Sequence, residues 1–242
     1  MVQVSQADSK KGKSILAIIP ARGGSKGIIK KNLRMLGGKP LIGYTIDSAK
    51  KSRMLDRIIV STDDPEIAAF SRENGIGVVI RPDSIAQDKS PITETIEHTL
   101  RALGENENSF PEIIVLLQPT SPLRTTEDID RAVTQFLDTS PESLISVCES
   151  EHSPFWCFTI DSGKLAPLFD RRNSELRRQD LPKTYRPNGA IYISTPGKIR
   201  MHSGFVMDNT APFLMPANRS IDIDAPLDLL FAEFLLAKEN PV

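Results

Sequence analysis

Ile15-Leu-Ala-Ile-Ile-Pro-Ala-Arg-Gly-Gly-Ser-Lys-Gly27, with Lys30-Lys31-Asn32 close behind, is the stretch on which the reading of this chain turns. Residues 15–19 form an apolar run far too short to cross a bilayer and of the right length for a buried strand. The run stops at Pro20 and gives way to a loop of small residues and cations. Gly has no Cβ to keep an anion away from backbone N–H groups. Arg22 offers a planar fork for phosphate oxygens, and Lys26, Lys30 and Lys31 add positive charge. The spacing is neither GxGxxG nor GxxxxGK[ST], which argues against a dinucleotide fold and against an ordinary P-loop. Taken alone, the loop reads either as a polyphosphate cradle or as a surface turn with solvated lysines.

Outward from this loop the same grammar repeats. Residues 57–62, 77–80, 113–118 and 144–148 are short Ile- and Val-rich runs bounded by Pro, Gly, Asp or Ser, as buried parallel strands are. Between them lie helical patterns: residues 40–51, opened by a proline; a face made by Ile92, Ile96, Leu100 and Leu103; and a stretch after Thr125-Thr126 with Glu127 and Asp128 in its first turn. Repeated βα units predict an α/β fold, a mostly parallel Rossmann-like sheet with helices on both faces. In such sheets ligands bind beyond the carboxyl ends of the strands. The unusual residues stand there: Arg22 to Lys31, then Asp63, then Arg81-Pro82, then 118–124.

After Cys148 the pattern fails. Residues 149–187 are charge-rich and without a clear period, and so long a structureless loop is improbable within a compact domain. They are expected to be a small insertion in a nucleotide-binding domain spanning 15–242, preceded by a flexible tail, 1–14. Beyond it, residues 188–195 read as a returning strand, and 213–216 and 220–224 as extended. The last helix carries Leu227, Leu230, Phe231, Phe234 and Leu235 on one stripe.

Composition narrows the function. The net charge is −1, with 25% charged residues, so any anion site is a local cluster rather than a basic surface. Aromatics are only 6%, which argues against stacking single-stranded nucleic acid. The two cysteines, Cys148 and Cys157, stand in no zinc spacing and form no disulfide framework. No signal-length apolar run opens the chain. The expectation is a cytoplasmic protein with neither nucleic acid nor membrane as partner.

Near the carboxyl end Asp222 and Asp224 are spaced by two, which in an extended segment puts both carboxylates on one face. Two hard oxygen ligands together with phosphate oxygens suit Mg²⁺. Asp224 also precedes Ala225-Pro226 and a helix, so a plain N-cap is open for it. Gln118 ends a strand with a polar amide that needs a partner. Arg124 serves equally well as an anion contact or as a cap for its turn.

In order along the chain, Ala21-Arg-Gly-Gly-Ser-Lys26 with Lys31-Asn32, Arg57-Ile-Ile-Val-Ser-Thr-Asp63, Arg81-Pro82, Gln118-Pro-Thr-Ser-Pro-Leu-Arg124, Arg186-Pro-Asn-Gly-Ala-Ile-Tyr192 and Ser220-Ile-Asp-Ile-Asp224 resemble the acylneuraminate cytidylyltransferases and their CMP-legionaminate and CMP-pseudaminate relatives. The resemblance covers nearly the whole chain. It implies a nucleotide-diphospho-sugar transferase fold, a divalent cation such as Mg²⁺, and CTP and an acidic nine-carbon sugar as substrates. It implies that Arg22 and Lys31 hold the triphosphate within a loop made by Ala21, Gly23, Ser25, Lys26 and Asn32, that Arg81 meets the base or ribose, and that Asp222 and Asp224 hold the metal. Gln118 and Arg124 would face the sugar. In the resembling enzymes an insertion crosses a homodimer to cover the neighbour's sugar pocket. Here the corresponding cations and amides are Arg178, Gln179, Tyr185 and Asn188, with Arg178 the preferred carboxylate contact.

The expected reaction is transfer of CMP from CTP to a sialic-type acid, with release of pyrophosphate. The alternatives are a sugar nucleotidyltransferase using another base or a Kdo-type acid, and a non-catalytic nucleotide-binding homologue. Trp156 stands where some sialic acid enzymes of this kind carry a lysine that approaches the sugar. It would pack against a deoxy carbon or acyl group, which favours a more apolar acid, or it would serve as an interface or core residue.

Overall fold

A computed structural model describes residues 12–25, 27–107 and 110–239. Most of the expected tail, residues 1–11, and Lys26 lie outside the described residues. Seven strands form the main sheet: β1 Ile15–Pro20, β2 Arg57–Thr62, β3 Gly77–Ile80, β4 Ile113–Leu116, β5 Ser143–Glu149, β6 Tyr185–Ser194 and β7 Thr210–Leu214. Their spatial order is β7-β5-β6-β4-β1-β2-β3. Strand β1 pairs in parallel with β4 and β2, β2 with β3, and β5 with β7. Only β6 runs against both of its neighbours. A mostly parallel sheet is therefore what forms, and the reversed strand has a consequence for the site. The start of β6, not its end, lies at the carboxyl edge of β1 and β4.

Helices α1 Leu41–Lys51, α2 Pro65–Glu73, α3 Ile92–Glu107, α4 Thr126–Thr139, α5 Pro196–His202 and α6 Pro226–Glu239 complete the fold. Alternation along β1 feeds both faces of the sheet. Ile15, Ala17 and Ile19 pack with Ile42 and Ile46 of α1 and with Ile129, Val133 and Phe136 of α4. Leu16 and Ile18 pack with Ile96, Leu100 and Leu103 of α3 and Ile199 of α5. Helix α4 begins with a reciprocal capping box between Thr125 and Asp128, which satisfies two amide donors otherwise left open at the helix start.

Three expectations need correction. The run 113–118 ends as a strand at Leu116, so Gln118 belongs to the loop. Residues 220–224 are irregular rather than strand. Helix α6 packs through Leu229, Ala232 and Leu236 against Leu36, Leu41 and Ile28, while Leu227, Leu230, Phe231 and Phe234 are exposed. A helix apolar on every side has no period from which to choose a face. The segment between β5 and β6 stands apart from the main sheet, as a hairpin of Phe158–Asp161 with Lys164–Pro167 and short 3-10 turns.

Candidate active site

The carboxyl ends of β1 to β4 open into a cleft of about 340 Å³, lined among others by Arg22, Ser25, Lys31, Asn32, Arg81, Gln118, Asp222 and Asp224. Residues nearly two hundred positions apart thus share one cavity. Lys31 Nζ donates to Ile223 O at 2.8 Å and to Asp224 Oδ1 at 2.9 Å. Asn32 Nδ2 donates to Arg22 O at 2.8 Å, so the buried amide fixes the loop that presents the guanidinium. Arg22 forms an ion pair with Asp88, on the loop that follows Arg81.

Asp222 sits at the base of the acidic wall. Ile223 N donates to Thr120 O at 2.8 Å, tying this irregular segment to the loop after β4. Burial pushes the Asp222 carboxyl above its usual pKa, and the charge of Asp224 adds to the effect. A hydrogen bond from Thr120 and the charges of Lys31 and Arg186 oppose it. Its Oδ1 is buried without a hydrogen-bond partner among the described residues. A desolvated, unmatched carboxylate oxygen on a residue that lines the same cleft as Lys31 and Arg22 fits a hard divalent cation. No group of three or more His, Cys, Asp or Glu side chains suited to a metal occurs among the described residues, so phosphate oxygens and water would complete the coordination. The N-cap reading of Asp224 does not hold. It is the Asp228 carboxylate that accepts the amides of Asp224 and Ala225, at 3.0 and 2.7 Å.

Gly189, with φ of +75°, lies within the reversed strand, where its register with β5 shifts between Pro187 and Tyr192. A Cβ there would stand 2.8 Å from Gln118 Oε1 and 3.2 Å from Asp222 Oδ2. Only glycine lets the strand pass so close with this backbone. The Gln118 amide oxygen and the Asp222 carboxylate thus both lie against Gly189.

Arg81 is buried, with NH1 donating to Thr95 Oγ1 at 2.8 Å. Burial lowers its pKa, Asp63 opposes that fall, and Arg22 adds to it.

Several expected site residues belong elsewhere. Ala21 is fully buried in the core, its amide given to Ser61 O. The Gly23 amide is taken by Asp63 Oδ1 at 3.1 Å, so it does not point at a ligand. Arg124 is 2% exposed and donates to Gln118 O, Ala190 O and Thr45 Oγ1. Burial pushes its pKa down to about 9. It holds the loop after β4 and is not free to meet an anion. Asn188 is fully buried, accepting from Ser146 Oγ and donating to Ser220 Oγ, and so fastens β6 to the segment that leads to Asp222. Arg178, Gln179 and Tyr185 are exposed and do not line the cleft of their own chain. Arg178 lies 3.9 Å from Glu149. Trp156 Nε1 donates to Leu176 O at 3.1 Å, within the insertion. The sequence reading missed the loop that contributes Gln87, Asp88 and Ser90 to the cleft, and Thr95 and Thr120. Its only signal was position, directly after Arg81-Pro82.

The sequence model of the cytidylyltransferases matches residues 16–204. The chain belongs to the cytidylyltransferase family. Over 225 residues it is 38% identical to a CMP-N,N'-diacetyllegionaminic acid synthase of Legionella pneumophila, covering 92% of this chain and 96% of that one. It is 34% identical to an N-acylneuraminate cytidylyltransferase of Escherichia coli, covering 93% of this chain but 53% of that longer protein. A solved CMP:2-keto-3-deoxy-manno-octonic acid synthetase complexed with CTP shares the fold, with a TM-score of 0.68 at 18% identity, covering 93% of this chain and 99% of that one. In this cytidylyltransferase the cleft brings the cations Arg22 and Lys31, the carboxylates Asp222 and Asp224 and the buried guanidinium of Arg81 together. Among the described residues no helix is long and apolar enough to cross a membrane.

Proposed function

We propose that this cytidylyltransferase moves the CMP group of CTP onto the anomeric hydroxyl of a nine-carbon acidic sugar of the legionaminate type, releasing pyrophosphate. The observation that carries the reading is the convergence of Arg22 and Lys31 with Asp222 and Asp224 in one cleft. A triphosphate carries about four negative charges and needs cations together with a divalent metal around it. Asp222 and Asp224 would hold that metal, Mg²⁺ in this reading. When bound, the ion would neutralise phosphate oxygens and make the α-phosphorus more electrophilic. Arg22 and Lys31 stabilise the charge that moves onto pyrophosphate, and Arg81 holds the nucleoside end. Catalysis is then mainly alignment and charge neutralisation, without a covalent enzyme intermediate.

The insertion is read as a dimer arm, with Arg178, Gln179 and Tyr185 reaching the cleft of a second copy, where Arg178 would pair with the sugar carboxylate. Support for this comes from the exposure of all three and, for Arg178 and Gln179, from the separation of their segment from the main sheet; Tyr185 opens β6 itself. The setting is taken to be the cytoplasm. The test is pyrophosphate release from each of the four nucleoside triphosphates with a panel of nine-carbon acids and a Kdo-type acid, the products weighed by mass spectrometry. Fastest release with CTP and a legionaminate-type acid is expected. Fastest release with GTP or UTP, or CTP binding without turnover on any acid, would reject the reading.

A further inference from the structure

Two neighbouring carboxylates close β2, and they do different work. Asp64 caps α2, its Oδ1 accepting the amides of Glu66 and Ile67 at 2.7 and 3.0 Å. Asp63 faces the other way. Its Oδ1 accepts the Gly23 amide at 3.1 Å and lies 3.8 Å from Arg81 NH2. One oxygen therefore touches both arms of the nucleotide site, the loop that presents Arg22 and the guanidinium that closes the far end. The Arg81 side chain is 5% exposed and that of Asp63 19%, so water screens the pair weakly.

Asp63 is not among the residues that line the main cleft. It sits in a shallower recess beside it, with Arg22, Gly24, Ser25 and Asp88. Whatever it does for the ligand it does through Gly23 and Arg81. Its negative charge also offsets a repulsion, since Arg22 and Asp63 act on Arg81 with opposite sign. Without it, the buried guanidinium would keep, among the described residues, Thr95 as its side-chain partner while Arg22 still repels it, a costly arrangement in low dielectric. The Arg81 amide is itself bonded to Thr62 O at 2.9 Å, directly before Asp63, so the backbones at the ends of β2 and β3 are already latched. What remains adjustable is the direction of the Arg81 side chain and the height of the Gly23 loop.

We infer that Asp63 is a positioning residue that sets the spacing between the triphosphate loop and Arg81, and so governs affinity for and selection of the nucleotide without touching it. This rests on the reading of the cleft as a nucleotide site, and it assigns to one carboxylate the job of measuring the nucleotide from phosphate to base.

Asp63→Asn keeps an oxygen for the Gly23 amide and removes the charge. The experiment compares wild type, D63N, Arg81→Met and the double variant. It reads CTP affinity by calorimetry, KM for CTP and for the sugar acid, kcat, the CTP-over-UTP ratio, and the unfolding midpoint. Expected for D63N is a weakening of CTP binding by roughly 10- to 100-fold, the range for hydrogen bonds to charged groups. The KM for the acid should stay within about twofold, the preference for CTP over UTP should fall, and the unfolding midpoint should drop, because buried Arg81 loses its opposite charge, while the chain stays folded. In the R81M background D63N should add little, because the two act as one unit. Unchanged CTP affinity, equal loss for both substrates, full additivity with R81M, or a D63N chain that does not fold would each overturn the inference. If wild type binds another triphosphate better than CTP, the cytidylyl reading fails by itself. The same four proteins, titrated with that triphosphate, still decide the role of Asp63.

Discussion

Lys31 Nζ and Asp224 Oδ1 lie 2.9 Å apart although 193 residues separate them in the chain. This contact joins the cationic loop after β1 to the acidic segment before α6. It is also loose, because the Asp224 side chain is 78% exposed and an exposed pair contributes only about 0–1 kcal/mol. On the proposed reading, an arriving phosphate would take Lys31 at little cost and leave the Asp224 carboxylate for a metal. The closer constraint in this region is steric. A Cβ on Gly27 would stand 2.3 Å from Asp224 O, far inside van der Waals contact and against backbone, which cannot swing aside.

Gly27→Ala should therefore displace the acidic segment and lower kcat by roughly 10- to 100-fold, the scale for a misplacement of about 1 Å at a reacting centre. Gly197→Ala serves as control, because nothing lies within 4 Å of its Cβ. That variant should keep full activity and an unfolding midpoint equal to or slightly above that of wild type. Steady-state pyrophosphate release from the two proteins, measured side by side, checks both halves.

Arg124 separates fold from chemistry in the opposite sense. Its guanidinium holds Gln118 O and Ala190 O across the ends of β4 and β6. Arg124→Met would leave those acceptors unmatched and cost on the order of 2–5 kcal/mol, at about 1–3 kcal/mol per unsatisfied buried group. Chemical denaturation should record that loss. The KM for the sugar acid, measured below the unfolding range, should stay close to that of wild type. A sugar-contacting arginine would give the reverse pattern.

How much of this was legible in the chain follows from where the physics sits. Strands β2 and β3 fall on residues 57–62 and 77–80 as read, because short Ile- and Val-rich runs between turn residues mark strands without tertiary help, although β3 lies at the sheet edge with Ile80 exposed. The cleft was legible too, since in such sheets the odd residues collect past the strand ends. Burial of polar side chains was not. Arg124 and Asn188 look like ligand contacts in a motif, and only packing shows that backbone carbonyls and hydroxyls consume their donors. Asp63 was noticed by position alone, since its partners Gly23 and Arg81 come from two other βα units. Helix α6 misled the reading because its apolar residues surround the axis, and only contact with Leu36 and Leu41 selects the inner face.

The anchor of the acidic segment titrates. Arg219 NH2 and Nε reach both oxygens of Asp128, at 2.8 and 3.0 Å, just before Asp222 in the chain. Burial alone would raise the Asp128 pKa. The hydrogen bonds from Arg219 and from the Thr125 amide outweigh it and hold the carboxyl below its usual value. The unfolded chain therefore takes up this proton at higher pH than the folded one does. The stabilisation is fully present above the ordinary carboxylate pKa of about 3.9 and is lost as pH falls through the lower folded value. Urea unfolding of wild type should weaken steeply below about pH 4. Arg219→Met should be less stable at pH 7 and should show a shallower decline, its curve approaching that of wild type at the acid end.

Asp222 supplies the test of the metal assignment. Its Oδ1 is buried without a hydrogen-bond partner among the described residues, so the folded protein carries a desolvation cost that a divalent cation would relieve. Asp222→Asn keeps the shape and removes the charge. The variant should be no less stable than wild type in the absence of metal, and slightly more so if relief from burial outweighs the lost attraction to Lys31 and Arg186, the two cations that act on it. It should lose catalysis by at least about 10³-fold, a loss of roughly 4 kcal/mol in transition-state stabilisation. The decisive comparison is the shift in unfolding midpoint when Mg²⁺ and CTP are added together. Wild type should rise with the pair well beyond CTP alone, because a ligand bound only by the folded state stabilises it by mass action. D222N should respond to CTP but gain little from Mg²⁺. An equal Mg²⁺-dependent rise in both proteins would move the metal away from Asp222 and leave its unmatched oxygen without this explanation.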